Sequence, residues 1–177
     1  MTSIIAGSVR LQIGNSRLLP GVAERALKLV FAILLLVATA CPVPTAAEIR
    51  FERSEITIVT RKGPVRFDVE LATDDGQRAQ GLQHRKAMAA DAGMLFLFPA
   101  PQIIDMWMKN TPLSLDMIFI RGDGHVVAIA QETKPFSLDI VSSGVPAYAV
   151  LEVLAGTAKR LGIAPGDRVV HPSLGRQ

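Results

Sequence analysis

Two regimes of hydrophobic patterning meet near residue 48. Residues 29–37 read LVFAILLLV, an unbroken apolar run, whereas later apolar positions alternate with polar ones in short stretches divided by Gly and Pro. Ile56 and Ile58 alternate with polar neighbours, Arg61-Lys62-Gly63-Pro64 reads as a turn, and Val65, Phe67, Val69 and Leu71 alternate strictly. That pattern predicts two strands joined by a turn. Asp74 and Gln77 stand at capping-box spacing and predict a short helix over 75–84, weakened by Gly76 and Gly81. Residues 94–98 and 103–108 are apolar runs, each closed by proline, and predict two buried strands. Residues 115–120 and 125–130 flank Arg121-Gly122-Asp123-Gly124, whose Asp-Gly pair signals a hairpin. A strand at 148–154, a helical turn or two at 157–161 stopped by Gly162, and a strand at 168–170 complete the pattern. Seven or eight short strands and two short helices predict a single, mainly β domain over 48–177, either an antiparallel β-sandwich or a partly open barrel.

The apolar run gives residues 1–47 a different role. Arg25 and Lys28 precede it, small residues and prolines follow it, and it is short for a bilayer span, so the expectation is a signal peptide, with an uncleaved N-terminal anchor as the rival. Ala38-Thr39-Ala40 before Cys41 is similar to a lipobox with Ala where Leu is more usual, making Cys41 a lipidation candidate. Thr45-Ala46-Ala47 offers ordinary cleavage instead. The expected destination is the periplasm, with membrane attachment only through the leader or a lipidated Cys41.

Charge sharpens this division. Of the 19 basic and 16 acidic residues, Arg10, Arg17, Arg25, Lys28 and Glu24 fall in the leader, so the net charge of +3 resides there and the remainder is balanced. A balanced domain argues against a nucleic-acid partner, which needs a clustered positive face. The single Cys excludes an internal disulfide and a cysteine metal cluster.

Gly81-Leu82, the stretch Asp91-Ala92-Gly93-Met94-Leu95-Phe96, the block Trp107-Met108-Lys109-Asn110-Thr111, Leu115-Asp116-Met117-Ile118-Phe119, Leu151-Glu152 and Gly156 occur in an order that resembles the bacterial and archaeal "domain of unknown function 192" family. The resemblance spans residues 65–170. It implies one mainly β domain, frequently behind a signal peptide, and no assigned reaction. The chain departs from the family pattern at Gln83, where Met would follow Gly-Leu.

Candidate chemistry concentrates between residues 103 and 120. If strands 103–108 and 115–120 paired around 109–114 in symmetric register, Trp107 would oppose Asp116. Asp105, Trp107 and Asp116 would then share one face, and Met106, Met108, Leu115 and Met117 the other. An indole beside hydrogen-bonding groups suits a sugar or another flat polar ligand. The expected function is therefore a non-catalytic binding module for a polar ligand, with carbohydrate as the candidate, or for a cell-envelope partner. Its candidate ligand-binding residues are Trp107, Lys109, Asn110, Thr111, Asp116 and Arg85, with Lys109 or Arg85 as the counter-ion of Asp116.

Plainer readings stand beside these. Trp107 also suits a core or rim position, Asn110 and Thr111 suit an ordinary turn before Pro112, and Glu152 reads as a buried, paired structural carboxylate. One alternative function is a glycoside hydrolase using Asp105 and Asp116 as its carboxylate pair. Another is Cu(I) binding by the methionines, five of which fall between Met88 and Met117, although a polarizable core filling explains them equally. His84, His125 and His171 are isolated, and neither a metal-ligand spacing nor a nucleophile motif occurs, so no cofactor, metal or catalytic residue is expected.

Overall fold

A computed structural model describes residues 49–175 together with Arg25 and Lys28. The chain divides into two units, residues 1–47 and 48–177. The apolar run, both cleavage readings and Cys41 lie outside the described residues. In the first unit Arg25 and Lys28 are helical. Among the described residues no helix is long and apolar enough to cross a membrane.

The second unit is a seven-stranded sheet with two short helices. In chain order it comprises β1 (Glu52–Thr60), β2 (Gly63–Ala72), α1 (Asp75–Gln80), β3 (Ala92–Met106), β4 (Leu115–Ile120), β5 (Val126–Ala130), β6 (Val141–Leu154), α2 (Thr157–Leu161) and β7 (Arg168–Val170). The sheet order is β5-β4-β6-β3-β2-β1-β7. Every pair is antiparallel except β2–β3, so the sheet is mixed. It curls into a half-barrel. Its edges meet at a bridge between His125 and Arg168, supported by the Val169 N–H donating to the Gly124 carbonyl at 2.7 Å. Of the two architectures the sequence allows, the partly open barrel is the one formed.

Strand alternation divides the core in two. One face of β4 and β6 places Ile118, Ile120, Leu151 and Val153 in a cluster with Ile56, Ile58, Phe67 and Leu95. The other face places Leu115, Met117, Phe119 and Val150 in a cluster with Met94, Phe96, Met108 and Leu82. All six residues of β4 are buried, because covered faces on both sides demand a near-continuous apolar strand.

Three local readings are corrected. The run at 94–98 and the second run as far as Met106 are one strand, β3, which passes through Pro99 and Pro101 by way of register shifts between Leu97 and Gln102 and between Ile103 and Asp105, and Trp107 and Met108 lie beyond its end. Proline is tolerated there because a bulge requires no ladder N–H from it. Strand β6 starts at Val141, earlier than the Ser-Ser-Gly sequence suggests, and the Ser143 hydroxyl takes the place of a backbone acceptor for the Ile104 N–H at 2.9 Å. The hairpin between 103–108 and 115–120 does not form, since β6 lies between β3 and β4 and pairs with both. A crossing strand supplied later in the chain defeats a register argument based on sequence proximity.

Candidate functional site

The consequence is that Trp107 and Asp116 part company. Asp116 is fully buried, and its carboxylate accepts hydrogen bonds from the backbone N–H groups of Glu132 (2.9 Å), Gly156 (3.2 Å) and Ala158 (2.8 Å). Gly156 has no side chain with which to cap α2, and Asp116 caps it from across the fold. Neither Lys109 nor Arg85 pairs with it. Arg85 instead forms a two-pronged ion pair with Glu70. That pair borders a separate depression of about 500 Å³ between β2 and the segment before β3.

The Trp107 block closes over a cavity of about 280 Å³. Met108 to Thr111 is a turn, with the Thr111 N–H donating to the Met108 carbonyl at 3.1 Å and Asn110 at φ +54°, a conformation Asn tolerates better than most residues. Asn110 fastens this turn to the segment after α1, since its side-chain amide donates to Gln83 Oε1 at 3.0 Å and its carbonyl accepts the His84 N–H at 2.8 Å. Trp107, Lys109 and Thr111 thereby line the cavity together with Gln83, Leu82, Phe96, Phe98, Met106, Asp105 and Arg78. Asn110 holds the wall and Asp116 is elsewhere. Of the six candidate residues, the structure brings three to the cavity.

The floor of that cavity is Glu152. It faces the second core cluster, between Met94 on β3 and Met117 on β4, and is 4 % exposed. Among the described residues its carboxyl has no hydrogen-bond or ion-pair partner, and burial pushes its pKa up to about 8. Sequence reasoning anticipated the burial but wrongly supplied a partner. The available signal was an acidic residue in the middle of Ala149-Val150-Leu151-Glu152-Val153, on a strand with no basic residue to meet it.

Most other polar ends at the cavity are already committed. Arg78 donates to the Thr73 and Leu97 carbonyls and to Asp75, and lies 5.5 Å from the Phe98 ring centre. Gln83 is engaged through both its amide oxygen and its nitrogen, and the Thr111 hydroxyl donates to the Lys109 carbonyl. Among the described residues, Asp105 and Lys109 have no charged partner, and the Lys109 ammonium stands 5.2 Å from the Trp107 ring centre.

These placements dispose of the two alternative chemistries as framed from sequence. Asp105 and Asp116 do not form a catalytic pair, because only Asp105 reaches the cavity and every bond of Asp116 is to a backbone N–H. The Met106–Met108 pair does not present two thioethers together, because Met108 is buried in the core, its sulfur 3.2 Å from a Thr133 hydroxyl that also reaches the Leu115 carbonyl at 2.9 Å. Among the described residues no group of three His, Cys, Asp or Glu side chains is placed to hold a metal ion. One serine does meet a histidine: Ser54 Oγ lies 3.0 Å from His171 Nε2. The Ser173 N–H donates to His171 Nδ1, so the ring proton is on Nε2 and points at the serine, the wrong arrangement for drawing a proton from it.

Among solved structures, the chain is similar to a transcription regulator candidate from Sinorhizobium meliloti 1021, at 44% identity and a TM-score of 0.70, covering 72% of this chain and all of that one. It is also similar to a protein of unknown function from Novosphingobium aromaticivorans DSM 12444, at 33% identity and a TM-score of 0.68, covering 76% of this chain and 96% of that one. No curated protein matches. The family model for DUF192, an uncharacterized ACR, matches residues 57–171, and the chain belongs to that family.

Proposed function

We propose that this is an exported domain that binds a small polar ligand in the cavity between Trp107 and Glu152. One observation carries the reading: the Trp107 to Thr111 block lines a partly aromatic cavity in which, among the described residues, the carboxyls of Asp105 and Glu152 have no hydrogen-bond or ion-pair partner and the Lys109 ammonium meets only the Trp107 ring. Apolar walls with a few convergent polar groups are the usual anatomy of a small-molecule site. Thermal unfolding of the full chain against cell-wall sugars, other glycans and metal salts tests it. A ligand at a hundred times its dissociation constant adds about 2.7 kcal/mol. No shift with any compound, together with a Trp107→Ala chain that differs only in stability, rejects the binding site.

Export rests on the apolar run flanked by Arg25 and Lys28 and by small residues. Intact-mass and amino-terminal analysis of the native protein separates a lipid-modified Cys41 from a new terminus at Glu48. Unprocessed chain in the soluble cytoplasmic fraction rejects export.

A second reading, docking to a cell-envelope partner, has its own support. The loop carrying Phe136, Leu138 and Ile140, each at least 60 % exposed, is hydrogen-bonded to the Trp107 block through the Met108 N–H and the Thr111 carbonyl. Photo-crosslinking from position 138 in cells tests this reading, and the absence of any adduct counts against it.

A further inference from the structure

We infer that the Glu152 carboxyl anchors the ligand in its neutral form, and that the ligand is a neutral polyhydroxyl compound of monosaccharide size. The inference rests on the cavity being a ligand site and names what that site takes. Glu152 is 4 % exposed, lines the cavity, and meets no donor among the described residues. Its strand neighbours are Met94 and Met117, and Phe96 and Leu82 line the cavity with it; of the cations in that lining, Arg78 is paired with Asp75 and Lys109 lies against the Trp107 ring, and neither bonds to Glu152. A buried carboxyl without donors keeps its proton, and burial alone accounts for a pKa near 8.

A protonated carboxyl donates one hydrogen bond and accepts others, which is complementary to a hydroxyl group. An ammonium ligand would require Glu152 to ionise in an apolar floor, and its attraction to Asp105 would be offset by Lys109 in the same lining. An anionic ligand drawn by Lys109 would meet Asp105 there and gain no charged partner from a neutral Glu152. A hydroxylated ring satisfies all three: it donates to Asp105, accepts from Lys109 and does both with Glu152. Trp107, in the same lining, supplies an aromatic surface for the apolar side of the sugar.

The chain contains a single tryptophan, and it lies in the cavity wall, so its fluorescence reports binding directly. The full chain is titrated with glucose, galactose, mannose and N-acetylglucosamine, with propylammonium and propionate as charged probes, between pH 6 and 9.5. Expected is saturation by at least one sugar, with affinity falling about tenfold per pH unit above 8 as Glu152 ionises. Glu152→Gln, a neutral isostere, keeps that affinity and abolishes its fall at high pH, while Glu152→Ala weakens it at least tenfold. Cooperative melting of both variants verifies folding. Saturation by propylammonium alone, an affinity that rises through pH 8, or loss of binding in Glu152→Gln overturns the inference while leaving the cavity as a ligand site. Saturation by propionate alone does the same. If no probe alters the fluorescence of the folded chain, the cavity reading fails and takes the inference with it.

Discussion

The Asp116 carboxylate accepts a hydrogen bond from the Ala158 N–H at 2.8 Å across 42 positions of sequence, tying the start of β4 to the first turn of α2. With the Glu132 and Gly156 N–H groups it completes a three-donor cradle at full burial. Removing the acceptor leaves the Ala158 N–H buried and unpaired and strips the partly covered Gly156 and Glu132 N–H groups of their acceptor, so Asp116→Ala is expected to cost about 3 kcal/mol. Asp116→Asn, which retains one acceptor oxygen, should cost about half of that. Urea denaturation measures both. Because Asp116 is not among the residues lining the cavity and its bonds are to backbone N–H groups, ligand titrations of the folded variants should match the parent chain, and a change in affinity would restore Asp116 to the site.

How much of this was legible in the sequence depended on distance along the chain. The β1–β2 turn, the Asp-Gly hairpin between β4 and β5, the capping box at Asp74 and Gln77 and the stop at Gly162 are settled by neighbouring residues, and they occur where the pattern places them. Convergence of Trp107, Lys109 and Thr111 was legible for the same reason, as they share one turn. The surroundings of Asp116 and Glu152 were not, because both depend on β6 inserting between β3 and β4. Alternation reports that a side chain is covered, and gives no account of what covers it. Trp107 with Asp116 is therefore a pairing of the wrong strands, and the cavity floor comes from a residue 45 positions beyond the indole that shares its lining.

Close strand packing around Glu152 yields a second prediction. A methyl group on Gly93 would stand 2.7 Å from the Glu152 carbonyl oxygen and 3.2 Å from side-chain atoms of Leu151 and Val153. The nearest obstacle is backbone in a central strand pair, which cannot rotate away. Gly93→Ala should destabilise the domain by roughly 2 kcal/mol or more, the scale of overpacking in a filled interior. A urea midpoint equal to that of the parent chain would contradict this packing.

Trp107 makes the opposite prediction. Its side chain is about half exposed and its ring contact is with the exposed Lys109, so little core is lost on truncation. Trp107→Ala should alter stability by less than about 1 kcal/mol, within the range of surface substitutions that break no buried contact. Sugar binding in the same variant, followed by calorimetry since the fluorophore is gone, should weaken at least tenfold. A large stability loss would make Trp107 a core residue and would remove it from the binding surface.

Glu152 links the site to the pH dependence of folding, and the sign follows from proton counting. Its carboxyl titrates near 4.5 when unfolded and near 8 in the fold, so between those values the native state holds the extra proton. Stability from this group is fully present below the unfolded value and is lost as pH rises through the folded one, at no more than about 1.4 kcal/mol per unit. Over the whole interval the loss is at most roughly 5 kcal/mol. Glu152→Gln carries no titrating group, so its stability relative to the parent chain should grow steadily from pH 5 to pH 8 and level off above. Urea unfolding of both chains at one-unit intervals gives that difference curve. A flat difference would mean that the carboxyl ionises in the folded protein as readily as in water, and the apolar floor assigned to the cavity would have to contain a donor.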